Sequence, residues 1–93
     1  MSFRVTDVNF DPSRREEFLA FADSQREKIQ AVNGIQSVDV VEVAEGQSVI
    51  IARYDSEESA VAATETVQEI LGGMGEFMTA SPNRKGGPIM WAM

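Results

Sequence analysis

The hydrophobic pattern changes period several times along the chain, and each change marks an element. From Phe3 to Phe10 (FRVTDVNF) apolar and polar residues alternate, Phe3 and Val5 on one side and Val8 and Phe10 on the other, which predicts a strand. Asp11 and Pro12 then open a helix, because Asp accepts hydrogen bonds from free amides and Pro suits the first helical position. Phe18, Phe21, Ala22, Ile29 and Val32 recur at helical spacing until Asn33 and Gly34 supply a left-handed stop, so the first helix is predicted over residues 12 to 32. Its other face, with Arg14, Arg15, Glu16, Arg26, Glu27 and Lys28, reads as solvated surface.

Ile35 to Ala44 and Gln47 to Tyr54 are rich in β-branched residues and separated only by Glu45 and Gly46, an antiparallel hairpin. A strand with one wet face alternates cleanly, yet Val38 and Val40 differ in parity from Ile35, Val41 and Val43, and Val49 to Ile51 are consecutive. Either both faces want cover, or a bulge near Val40 and Val41 flips the parity. Asp55 is the expected cap of the second helix, with Glu58 three residues on to close a capping box. Ala60, Ala63, Val67, Ile70 and Met74 line one face of that helix, Tyr54 is expected to pack beside it, and Gly72 and Gly73 end it. Residues 72 to 88 read as a glycine-rich loop with one turn around Glu76 to Met78. Ile89 to Met93 (IMWAM), apolar throughout, is the expected last strand and is expected to be buried.

This βαββαβ order predicts one ferredoxin-like α+β domain over residues 1 to 93: a four-stranded antiparallel sheet with both helices on one face. No helix remains for the other face. At ~25 cal/mol per Å2, leaving its large apolar side chains wet costs several kcal/mol, a large share of the ~5–10 kcal/mol available to a small domain. Pairing two such faces about a two-fold axis removes the exposure and encloses a barrel-like interior, so a homodimer is expected. Partial cover by residues 72 to 88 is the alternative.

Charge and composition narrow the chemistry. With 15 acidic and 8 basic residues the net charge is −7, which repels nucleic acid and anionic membranes alike. No apolar run approaches a membrane span and no signal peptide is evident, so a cytoplasmic location is expected. The chain has neither cysteine nor histidine. That removes thiolate metal sites, the commonest general base near neutral pH, and every Ser-His or Cys-His nucleophile pair. No metal or cofactor is expected, and the glycines at 72 to 75 follow a helix, whereas phosphate cradles precede one.

Three segments resemble the dimeric α+β barrel proteins, within them the antibiotic-biosynthesis-monooxygenase-like group. Gly34-Ile35-Gln36-Ser37-Val38 looks like that group's glycine-initiated second strand, Tyr54 to Ala60 like its aromatic-then-capped start to helix two, and Phe77, Pro82 and Trp91 like its tail. Relatives often carry a histidine near the positions of Ala63 and Thr64, so this chain departs from the haem-degrading and histidine-dependent branches. The resemblance implies a cofactor-independent monooxygenase acting on an electron-rich aromatic substrate inside the barrel; the lack of a committed catalytic group gives the other reading, a dimeric module that binds small hydrophobic molecules or has only a structural role. Such a pocket needs an apolar wall and a few hydrogen-bond donors to hold an enolate. The candidates are Asn9, Arg53, Phe77 and Trp91. Each polar or indole candidate also has a plainer reading: Asn9 as a strand-end turn residue, Arg53 as the partner of Asp55 or Glu58, Trp91 as core or dimer interface. Asp7, Asp39 and Glu42 lie in strands, where an inward carboxylate would be a base and an edge one merely solvated.

Overall fold

The alternation in the first segment becomes strand β1 (Ser2–Asn9) in a computed structural model that describes residues 1–93. Ser2, Thr6 and Val8 are buried while Phe3, Val5 and Asp7 between them are half-buried, so the strand has a covered and an open face. The hairpin follows as predicted, β2 (Ile35–Ala44) and β3 (Gln47–Tyr54). Gly46 turns it with φ of 76°, a conformation that only glycine adopts at no steric cost. The sheet is antiparallel throughout in the order β2-β3-β1-β4, with β4 spanning Asn83–Pro88.

The register resolves the parity puzzle in β2. Val38 lies opposite Ala52 and Val40 opposite Ile50 on the covered face, whereas Val41 lies opposite Val49 on the open one. The irregularities sit at the strand's ends, between Ile35 and Ser37 and between Glu42 and Ala44, not near Val40 and Val41. The covered face of these strands is therefore apolar through Val38, Val40, Ile50 and Ala52, and the open face through Val41, Val49 and Ile51, with Ser37, Asp39 and Arg53 between and beside them.

Each predicted helix is broken once. A 3-10 turn (Pro12–Arg14) leads into α1 (Arg15–Ser24) and α2 (Arg26–Gln30). The break at Gln25 has a local cause: the Ser24 hydroxyl donates to the Phe21 carbonyl at 2.6 Å, competing with the helical ladder. The second run divides into α3 (Glu57–Ala62) and α4 (Thr64–Gly73). Its cap is Ser56, whose hydroxyl accepts from the Ser59 amide at 3.1 Å; Asp55, the expected cap, instead accepts from the Ser59 hydroxyl. Tyr54 packs beside this run as expected, buried with Ala60 and Ala63.

The main core cluster joins β1 to α1 and α4 through Val8, Phe10, Phe18, Ile70, Met74 and Phe77. Phe10 and Phe18 stack with ring centroids 4.9 Å apart. Phe77 belongs to a second 3-10 turn (Gly75–Phe77), close to the turn expected around Glu76 to Met78.

The last strand differs from expectation. β4 is built from NRKGGP, which reads as loop, because the free edge of β1 needs only backbone partners, and strand pairing makes no demand for apolar side chains. Gly86 also leaves room for Arg4, whose side chain crosses it: a Cβ there would lie 2.7 Å from Arg4 Cδ. Ile89–Met93 continues beyond the sheet, tethered by the Ile89 amide donating to the Met1 carbonyl at 2.9 Å. Met90 is 99 % and Trp91 78 % exposed, so burial of this tail is not achieved within one chain.

The open face presents Phe3, Val5, Val41, Val49 and Ile51, and the helices all lie against the other side. The total accessible surface is 5909 Å2, against about 5,300 Å2 expected for a monomer of this mass.

Candidate functional site

Between the covered face of the sheet and the helices the chain leaves a partly enclosed space of about 90 Å3. Its wall is mostly apolar: Ile50 and Ala52 from β3, Val38 from β2, and Val67, Ile70 and Leu71 from α4. Strand parity explains the polar end, where β1 and β4 turn Arg4, Thr6 and Arg84 to the same side. Thr66 and Tyr54 complete that end.

A wider groove of about 500 Å3 lies outside, between α1, α2 and the first half of β2. Groove and chamber share Ala22, Ile29, Ile35, Val38 and Val40, so the groove is the chamber's mouth. Together they reach the ~300–1,000 Å3 typical of small-molecule sites. Asp23, Arg26 and Gln36 stand at the rim.

The two arginines at the inner end differ in what they hold. Arg4 is largely buried and spoken for: it pairs with Glu57 and donates to the Ser2 hydroxyl at 3.1 Å and the Phe3 carbonyl at 3.0 Å. The Arg4 guanidinium, and then the Ser2 hydroxyl donating at 2.5 Å, hold the Glu57 carboxyl below the ordinary carboxylate range. Arg84 has no such partner. It takes part in none of the chain's ion pairs, its Nη1 reaches Thr64 Oγ1 only at 3.5 Å, and its Nη2 is buried with no hydrogen-bond partner. A buried donor left unmade is unfavourable, and more so on a cation. Chemically the chamber is an apolar slot whose lining includes one arginine with a buried, unsatisfied Nη2.

The residues expected from the sequence lie elsewhere. Asn9 is exposed on the open face at one end of β1, opposite Gln47. Arg53 is on the open face at the other end, its guanidinium 5.8 Å from the Phe3 ring centroid and its Nη2 2.6 Å from Met1 Sδ; it pairs with neither Asp55 nor Glu58. Phe77 is buried in the core near Asp11, with Arg14 stacked over its ring, and Trp91 is on the exposed tail. About 23 Å of strand separates the Asn9 and Phe77 end from the Arg53 and Trp91 end, so the fold brings the four to no common point. Asp7 pairs with Lys85 and Glu42 with Arg15 at the surface. No three Asp or Glu side chains are placed to hold a metal ion, and no helix is long and apolar enough to cross a membrane.

No family profile matches the sequence, and no curated protein matches it. Solved structures do match. A Nitrosomonas europaea protein provisionally assigned as an antibiotic biosynthesis monooxygenase superposes with a TM-score of 0.79 at 14% identity, over 98% of this chain and 100% of that one. A monooxygenase from the gene ActVA-Orf6 of Streptomyces coelicolor, in complex with the ligand nanaomycin D, gives 0.77 at 18% identity over 99% and 90%. A dimeric ferredoxin-like protein from an uncultured marine organism gives 0.76 at 14%, also over 99% and 90%. The chain has their fold. At these identities the likeness extends to the ferredoxin-like α+β architecture and leaves chemistry to be argued from the site.

Proposed function

We propose that the chamber and its mouth bind a small, flat, largely apolar molecule that carries an anionic oxygen, with Arg84 as the group that receives it. The observation that carries this reading is the buried Nη2 without a partner on an arginine that lines an otherwise largely apolar chamber. A carboxylate or phenolate there supplies the missing acceptor, and charge-assisted bonds are about twice as strong as neutral ones. Titration with 2-naphthoate against neutral 2-naphthalenemethanol tests it. One charged hydrogen bond contributes ~1.5–3 kcal/mol, so the anion is expected to bind at least about tenfold more tightly. Equal affinities, or no binding of either, refute it.

A second reading is favoured by the neighbour that is a monooxygenase holding nanaomycin D: a cofactor-independent oxygenase, in which Arg84 stabilises a substrate enolate while the apolar wall excludes water. An oxygen electrode with anthrone, an aromatic ketone that enolises, reads this directly. Uptake above the uncatalysed rate that falls in Arg84→Gln supports catalysis; none leaves the binder.

For assembly we propose a homodimer through the open faces. Phe3, Val5, Val49 and Ile51 are supported in this by the excess surface and by the dimeric neighbour of the same fold. Light scattering at micromolar concentration is expected to give twice the 10.2 kDa chain mass; the single-chain mass refutes it.

A further inference from the structure

Two features of the chain are unpartnered and lie at opposite edges of the sheet. One is the tail Ile89–Met93, with Met90 wholly and Trp91 mostly in solvent, at the end of edge strand β4. The other is the groove along the first half of edge strand β2, where Leu19, Ile29, Ile35 and Val38 line the mouth of the chamber. Their relation follows from the strand order. β2 runs parallel to β1 and β4 antiparallel to it, so the two edges run in opposite senses. When two open faces meet about a two-fold axis along the strands, β4 of one protomer falls beside β2 of its partner, and the pair is antiparallel, the sense in which edges can close. The end of β4 is then level with the start of β2, since Pro88 and Ile35 are both registered to the Ser2 and Tyr54 end of the sheet. The tail leaves one chain where the groove opens on the other.

We propose that the Ile89–Met93 tail of each protomer lies across the β2 groove of its partner, Trp91 closing the mouth of the partner's chamber. This rests on the dimer proposed above. It makes each binding site a joint product of two chains, so a ligand enters or leaves only when the partner's tail moves. The size is suitable: Trp91 alone brings on the order of 150 Å2 of apolar surface, a substantial part of the ~800 Å2 per partner of a stable interface, into a groove of about 500 Å3. Exchange of identical segments about a two-fold axis also closes on itself and leaves no tail free to recruit further chains.

The absence of cysteine from the chain makes the test simple. Trp91→Cys chains are mixed and refolded separately with Gln36→Cys chains, altered at the exposed rim of the groove, and with Val43→Cys chains, altered at the exposed far end of the same strand. Disulfide-linked heterodimers are expected at least about tenfold more abundantly with Gln36→Cys than with Val43→Cys. A dimer by light scattering that links equally at both positions, or not at all, overturns the tail placement and leaves the dimer standing. A disulfide within one chain of the Gln36→Cys/Trp91→Cys double variant overturns it as well. A single-chain mass in light scattering overturns the dimer itself, and the tail placement with it.

Discussion

Replacing Arg84 with Met should make the ligand-free protein more stable, although it deletes a long side chain from the interior. Arg84 is half-buried, forms no ion pair, and leaves Nη2 without an acceptor. An unsatisfied buried donor costs ~1–3 kcal/mol, whereas the bond that the substitution removes, to Thr64 Oγ1 at 3.5 Å, is at the limit of bonding distance and contributes at most ~0.5 kcal/mol. Met keeps much of the aliphatic stem and packs adaptably against Val67 and Leu71 on the chamber wall. The net expectation is a gain of about 1 kcal/mol, or ~4–8 °C in Tm for a chain of this size. Urea and thermal unfolding at fixed protein concentration measure it. Ligand should reverse the order: at a hundredfold excess over Kd an anionic ligand adds ~2.7 kcal/mol to the native chain and far less to Arg84→Met. A ligand-free variant less stable than the native chain by 1 kcal/mol or more refutes this reasoning, because Arg84 would then be a structural support.

Two further outcomes follow from contacts near the site. Glu57 titrates below its ordinary value of 4.5 because Arg4 and Ser2 hold it ionised, so the unfolded chain takes up that proton first as pH falls. Its contribution to stability is therefore full above about 4.5 and is lost as pH drops through the folded value; urea midpoints between pH 6 and 3 should fall less steeply in Glu57→Gln, and equal slopes count against it. Gly86→Ala should destabilise by about 2 kcal/mol, since the new methyl group meets both the Phe3 carbonyl and the Arg4 side chain. Adding Arg4→Ala relieves only the second clash, and full recovery in the double variant would show that the backbone clash is not felt.

What was legible in the sequence was what neighbouring residues decide among themselves. The hairpin is found at its predicted bounds because β-branched runs and a two-residue Glu45-Gly46 turn are local signals. The split faces of β1 follow equally from the alternation of Phe3 and Val5 with Val8 and Phe10. The fourth strand was not legible, because Asn83–Pro88 pairs through its backbone with the free edge of β1 while its composition says loop. The apolar tail Ile89–Met93 reads as that strand for the converse reason: hydrophobicity shows a demand for cover and does not show which chain meets it. The chamber's arginine is not legible for the same reason. Arg84 falls inside the supposed loop, and only once β4 is registered against β1 does it face Thr6 and the chamber. Arg53, by contrast, sits in a well-predicted strand, and its parity sends it to the open face, the one that lines a barrel interior between two paired sheets.

The most direct measurement sets these two arginines against each other. Binding of 2-naphthoate is compared for the native chain, Arg84→Gln and Arg53→Gln under conditions where all three have the same assembly mass. With the ligand between sheet and helices, Arg84→Gln weakens binding by about tenfold or more and Arg53→Gln leaves it unchanged. Loss of affinity in Arg53→Gln with Arg84→Gln unaffected would place the ligand between the two sheets and contradict the account.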